Sequence, residues 1–260
     1  MRLACGLRSD AGRVRLANED SFYASASNGL FIVADGMGGH AGGSVASQTA
    51  VEAFVDYVLR YMRNPEITPP YGLAMDLTSP ENVLRAAMMI GNSKVFELSE
   101  ADPSLSGMGT TLTAAWILDR EVCIAHVGDT RIYLAHEGVL NLLTKDHSWV
   151  FEQYNEGILT YEEARIHPMK HLITRSLGTK GFIQTDTQRL LVEQNDLLLL
   201  CSDGLTNMID DDEIAASLRN NSLESLDVQC DALVEDANQA GGSDNITVVL
   251  VRIVGALDER

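Results

Sequence analysis

Asp20-Ser-Phe-Tyr-Ala-Ser25-Ala-Ser-Asn-Gly29-Leu30-Phe-Ile-Val-Ala-Asp35-Gly36 contains two strand-forming runs around a turn. Ser21 to Ser25 and the apolar run Leu30 to Ala34 flank Ser27, Asn28 and Gly29, residue types that bend a chain, so the segment reads as a hairpin. Pairing Ser25 with Leu30 sets Asp20 opposite Asp35, which brings two carboxylates to the same end of a sheet. That juxtaposition organises the reading of the rest of the chain.

Upstream, Leu3 to Arg8 has strand character. Downstream, Ala41 to Arg63 places Val45, Ala46, Ala50, Ala53, Phe54, Tyr57, Val58 and Tyr61 at helical spacing, with one stripe to bury. A second helix is expected from an N-cap at Ser79, with Pro80 in its first turn, to about Glu100. Residues 64–78, with Pro65, Pro69 and Pro70, read as a loop. From Thr111 the pattern becomes β-rich: Thr111 to Leu118, Glu121 to Val127, Arg131 to His136 and Val139 to Leu143 read as a meander. Asp146 to Lys170 has weak helical character. His171 to Leu177, Gln184 to Val192 and Leu197 to Cys201 read as strands, Asp211 to Asn220 and Leu223 to Gln239 as helices, and Ile246 to Val254 as the last strand. Blocks of strands with helices grouped between them point to an α+β fold, two antiparallel β-sheets packed as a sandwich with helices on both sides, in one domain over 1–260.

The 260 residues are 45% hydrophobic, enough to bury a large core, and 37 Asp plus Glu against 19 Lys plus Arg give a net charge of −18. Such a surface disfavours nucleic acid and anionic membranes as partners. No apolar run approaches the roughly 20 residues that span a bilayer, and no signal peptide is visible, so a cytoplasmic location is expected. Cys5, Cys123, Cys201 and Cys230 are far apart and form no CxxC pair, the pattern of reduced, packed thiols.

Three apolar runs end or begin at an aspartate: Phe31-Ile-Val-Ala-Asp35-Gly36, Leu198-Leu-Leu-Cys-Ser-Asp203-Gly204, and Ser243-Asp244-Asn245 ahead of Ile246. Asp35 and Asp203 follow their strands and Asp244 precedes its own, so antiparallel neighbours bring all three to one rim. An Asp-Gly after a strand is commonly a plain turn. Several that converge, together with Glu19 and Asp20, are more than that, because clustered carboxylates must be neutralised by protons or cations. An all-oxygen ligand set selects hard ions such as Mg²⁺ or Mn²⁺. Gly36 also lets a backbone carbonyl come close to an ion.

The ordered set Arg15-Leu-Ala-Asn-Glu-Asp20, Val33-Ala-Asp-Gly-Met-Gly-Gly-His40, Gly107-Met-Gly-Thr-Thr111, His126-Val-Gly-Asp-Thr-Arg131, Cys201-Ser-Asp-Gly-Leu205 and Gly242-Ser-Asp-Asn-Ile-Thr247 resembles the bacterial type 2C (PPM) metal-dependent serine/threonine protein phosphatases across nearly the whole chain. The resemblance implies two to three Mn²⁺ or Mg²⁺ ions: Asp35 bridging two of them, the Gly36 carbonyl on one, and Asp203 and Asp244 on the other. Asp129 matches a third, weaker metal site. Glu19 would act through water, Asp20 would orient metal-bound water, and Arg15 would clamp the phosphate. Substrates would be phosphorylated proteins, the products of a serine/threonine kinase. Residues 145–178 match the family's flap, and the histidines there, His147, His167 and His171, read as surface or lightly packed side chains. Many eukaryotic members carry a histidine directly after the Asp-Gly pair, proposed as general acid. This chain has Met37 there, and the nearest histidine is His40. Two other classes compete, a non-catalytic phosphoprotein-binding module of the same fold and a calcium-binding adhesion sandwich. The complete carboxylate set argues against the first, and the lack of repeated acidic loops against the second.

Overall fold

The computed structural model describes residues 1–38 and 42–255. In chain order the elements are β1 (Arg2–Asp10), β2 (Asp20–Ser25), β3 (Leu30–Met37), α1 (Gly42–Arg63), α2 (Ser79–Ala101), β4 (Gly109–Thr110), β5 (Leu112–Leu118), β6 (Glu121–Val127), β7 (Arg131–His136) and β8 (Val139–Leu142). There follow α3 (Trp149–Asn155), α4 (Tyr161–Ile166), β9 (Asp186–Leu191), β10 (Leu197–Cys201), α5 (Asp203–Thr206), α6 (Asp211–Asn220), α7 (Leu226–Gln239) and β11 (Ile246–Gly255). All named strand pairings are antiparallel: one sheet runs β1-β11-β10-β7-β8 and the other β2-β3-β5-β6-β9, with β4 beside β3.

The near-continuous apolar strands are explained by burial on both faces. In β3, Phe31 and Val33 point into the layer between the sheets, where they meet Ile132, Leu198 and Val249. Their neighbours Leu30, Ile32 and Ala34 point the other way, against Phe54 of α1 and Leu84 of α2. The same alternation in β10 sends Leu198 and Leu200 inward and Leu197, Leu199 and Cys201 toward Ile214 of α6 and Leu233 of α7. Burial of each Leu, Val or Phe stabilises by about 1.5–3 kcal/mol, so the helix–sheet–sheet–helix stack is held from three apolar layers. This is the expected α+β sandwich with helices on both sides. Among the described residues no helix is long and apolar enough to cross a membrane.

Four local expectations need correction. The meander is broken: β6 pairs with β9 and β7 with β10, because the chain crosses from one sheet to the other at Gly128-Asp129-Thr130. Helix α2 is capped one residue earlier than expected, by Thr78, whose amide and hydroxyl both donate to Glu81 Oε2 (2.9 and 2.6 Å). Thr78-x-x-Glu81 is the capping-box spacing, and Ser79 occupies the first helical position ahead of Pro80. Residues 171–177 form no strand and make only isolated bridges, Ser148 with Ile173 and Thr110 with Leu177. Helix α7 starts at Leu226 under the Ser225 cap, while Leu223 is exposed in the preceding turn. All four cysteines are free, and three are buried.

Candidate active site

The hairpin register is the expected one, with Ser25 opposite Leu30 and Asp20 opposite Asp35. In the other sheet Cys201 pairs with Val248, so Asp203, after β10, and Asp244, before β11, leave at the same edge. The two sheets thus present their acidic ends to a common rim. The crossing between sheets adds Asp129 to it. Gly128 makes that crossing possible: its φ is +113°, and a Cβ there would lie 2.4 Å from the Thr111 side chain.

Each carboxylate is fixed by its surroundings. Asp35 is held through its backbone: its amide donates to Thr111 Oγ1 (2.9 Å), and its carbonyl accepts from the Thr111 amide (2.9 Å) and Thr110 Oγ1 (2.8 Å). Asp20 Oδ2 accepts from Ser202 Oγ (2.8 Å) and Thr247 Oγ1 (2.6 Å), one hydroxyl beside each of the other sheet's two acidic ends. Asp203 Oδ2 accepts from Asn207 Nδ2 (2.8 Å). Asn245 ties the approach to β2, donating to the Ala11 and Ala17 carbonyls and accepting from the Glu19 amide. The Gly36 position is closed on both sides, since a Cβ there would meet the Gly43 carbonyl oxygen at 2.1 Å and the Glu19 carbonyl oxygen at 2.6 Å.

Electrostatics mark the rim as a seat for cations. Burial pushes the Asp20 carboxyl up from 3.8 to about 7, against the pull of Thr247 and Ser202 and with the charges of Asp203 and Asp244 adding to it. Asp35 is raised well above its ordinary value by burial, then by the charges of Asp20, Asp203 and Asp129. Asp129 and Asp203 are raised by burial first, then by the charges of Asp203 and Asp244 respectively. Oδ1 of Asp20, Asp129 and Asp203 is shut away from solvent without a hydrogen-bond partner. Buried anionic oxygens left without donors are costly unless a cation meets them. Among the described residues no group of three His, Cys, Asp or Glu side chains could hold an ion by itself. The donors gathered at the rim are oxygens, which suit a hard divalent cation that can complete its shell with water.

The remaining expected residues are also at this rim. Arg15 Nη2 lies 2.7 Å from Asp244 Oδ2 on a side chain 53% exposed. The Glu19 carboxylate accepts from the amides of Gly43 and Ser44 at the start of α1, a capping role that its sequence neighbourhood did not reveal. Met37 pairs with Gly109 across β3 and β4 and has no proton to give. His40 lies outside the described residues. Cys201 is no nucleophile: burial pushes its thiol up to about 12.

Sequence reasoning missed two things here. One is the supporting layer of Ser202, Thr247, Thr111 and Asn245. Ser202, Asn245 and Thr247 stand within three residues of a predicted ligand, which was the available signal, whereas Thr111 is brought in only by the fold, through the Asp35 backbone. The other is His147, expected near the surface and found 4% exposed. Beside the rim a cleft of about 740 Å³ runs from Asp129 and Asp203 between α3 and α4 on one side and the start of α6 on the other.

A two-sheet sandwich whose acidic strand ends converge on a cation-seeking rim describes a class of metal-dependent hydrolase. The family model for protein phosphatase 2C matches residues 11–237. The serine/threonine phosphatase stp of Listeria monocytogenes is 40% identical over 94% of this chain and 93% of that protein. The crystal structure of the Mycobacterium tuberculosis serine/threonine phosphatase PstP/Ppp superposes with a TM-score of 0.85 at 36% identity, covering 98% of this chain and 100% of that one. The catalytic domain of PstP in complex with two manganese ions gives a TM-score of 0.82 at 36% identity, covering 97% of this chain and 99% of that one. The chain belongs to the protein phosphatase 2C family.

Proposed function

We propose that this protein hydrolyses phosphoserine and phosphothreonine monoesters on proteins phosphorylated by a serine/threonine kinase, with two to three Mn²⁺ or Mg²⁺ ions at the aspartate rim. The observation that carries this reading is the set of buried, unpartnered carboxylate oxygens on Asp20, Asp129 and Asp203 beside Asp35. A module that only bound phosphate would gain nothing from gathered negative charge without cations. Asp35 and the Gly36 carbonyl would hold one ion, Asp35, Asp203 and Asp244 a second, and Asp129 a third, weaker one. Glu19 and Asp20 would reach the ions through water. When bound, the cations lower the pKa of water and neutralise charge on the phosphoryl oxygens.

The chain's own residues supply the rest. Arg15, half-exposed on the rim, turns from Asp244 to the phosphate and clamps it bidentately. Ser202 and Thr247 hold one oxygen of Asp20 and leave the other free to orient water toward the phosphorus. The departing alkoxide takes its proton from water, since Met37 stands where a histidine would donate. Residues 145–178, with α3 and α4, act as a flap, and the cleft beneath them receives the polypeptide that carries the phosphate. The test is hydrolysis of nitrophenyl phosphate and of a phosphothreonine peptide with Mn²⁺. Activity that EDTA abolishes and Mn²⁺ restores is the expected result. A folded protein that binds the peptide without turnover would instead be the non-catalytic module.

A further inference from the structure

His147 makes no use of its buried position in the chemistry described so far, yet it takes both backbone groups of the residue before Asp129. Its amide donates to the Gly128 carbonyl (2.7 Å), and its ring Nδ1 accepts from the Gly128 amide (3.1 Å). A ring nitrogen that accepts cannot carry the proton, so Nε2 does; it faces Asp186 Oδ2 at 3.2 Å, and Arg175 Nη1 also lies 3.2 Å from it. Asp186 Oδ1 accepts in turn from Arg175 Nη1 (2.9 Å), and the His147 carbonyl accepts from the Thr174 amide (2.8 Å). Asp186 itself is set by strand pairing, opposite His126 in the β6–β9 register. The His126 ring lies 4.8 Å from that of His147, and its own nitrogens are engaged by Thr113 Oγ1 (2.8 Å) and the Lys145 carbonyl (3.0 Å).

Gly128 needs such a clamp. It sits at positive φ in the crossing between sheets, outside either ladder, so no strand partner satisfies its peptide groups. The next residue, Asp129, is 93% buried, with one carboxylate oxygen unpartnered. The peptide that His147 grips therefore sets where that oxygen points.

We propose that His147 is the positioning residue for Asp129, and that the chain Arg175–Asp186–His147–Gly128 locks the return limb of the flap to the loop that carries the third metal ligand. The proposal rests on the metal role given to Asp129 above. Its consequence is that the weakest metal site and the base of the flap are coupled: loosening either loosens the other. The two edges of the imidazole can be separated by substitution. His147→Asn keeps an acceptor at the δ position for the Gly128 amide and gives up the reach to Asp186. His147→Gln keeps a donor at the ε position and gives up the acceptor.

Amide hydrogen exchange on the metal-free protein and calorimetric Mn²⁺ titration read the two ends. In His147→Gln the Gly128 amide should exchange faster and the weakest Mn²⁺ site should lose about 10–100-fold in affinity, the usual effect of removing an outer-shell partner, while the tighter sites hold. In His147→Asn, which keeps the acceptor for the Gly128 amide but loses the link to Asp186, both should shift in the same direction and by clearly less than in His147→Gln. A purely packing role for the ring would move both variants alike, and that outcome overturns the proposal. Asp186→Ala, at a side chain 43% exposed, is the variant least threatening to folding. It should speed exchange at Gly128 while the amides of β10 stay protected, and an unchanged Gly128 would equally overturn the proposal. Asp129→Asn separates the two ideas. If the weakest site survives it, the metal role of Asp129 is wrong, and Gly128 exchange in the His147 variants still decides whether His147 positions the loop.

Discussion

Arg131 and Asp146, which both line the candidate cleft, form a bidentate pair whose loss can be worked out in advance. Arg131 Nε lies 2.9 Å from Asp146 Oδ1 and Nη2 lies 2.7 Å from Oδ2, on side chains 13% and 10% exposed. Burial alone would depress the guanidinium, and the facing Asp146 more than offsets it, so Arg131 stays charged. A pair this buried is dear to break and cheap to replace, because most of the penalty for removing one partner is the charge left behind. Arg131→Met or Asp146→Ala alone should each destabilise by about 3–5 kcal/mol. The double variant should cost about as much as one single change, leaving a coupling energy of about 3–5 kcal/mol, at or above the upper end for residues in direct contact. Arg131 Nη1 also donates to the Tyr133 hydroxyl (3.0 Å), which donates to Asp211 (2.9 Å); that loss occurs in both proteins lacking Arg131 and so cancels in the cycle. Urea unfolding of all four proteins, with EDTA present, gives the numbers. Strict additivity, or single changes costing under about 1 kcal/mol, would show a solvated pair of the surface kind and refute the reasoning.

Asp203→Asn and Asp244→Asn should each lower turnover by orders of magnitude at saturating Mn²⁺ if each is the anionic ligand proposed above. Near wild-type rates in folded variants would remove both from the metal set. Arg15→Ala should chiefly raise KM for phosphopeptides, because a phosphate clamp acts on ground and transition states alike. An unchanged kcat/KM would make Arg15 a surface charge paired with Asp244. The metal-stripped protein should lose stability as pH rises from about 4 to about 7, because folded Asp20, at about 7, keeps a proton that the unfolded chain releases near 3.8. Thermal unfolding in EDTA at about pH 5 and pH 8 checks this, and added Mn²⁺ should raise Tm more at the higher pH. Equal or greater metal-free stability at the higher pH would mean that the carboxylates are not strained.

The parts of this structure legible in the sequence are those where one local rule fixes the answer. The register that sets Asp20 against Asp35 followed from the turn at Ser27 to Gly29, because a hairpin counts outward from its turn. The shared edge of Asp203 and Asp244 followed from chain direction. The break between β6 and β7 was not legible. Glu121 to Val127 and Arg131 to His136 look like consecutive strands of one sheet, and nothing in their alternation says that they belong to two. The information lies in Gly128, whose positive φ turns the chain between layers, and in Thr111, whose side chain leaves no room for a Cβ there. His147 was misread for the same reason. A histidine in a polar stretch is ordinarily exposed, and only the crossing creates an unpaired peptide for its ring to satisfy. The misread strand crossing and the misread histidine are thus one omission: a peptide that leaves one ladder without joining another needs partners, and His147 supplies both.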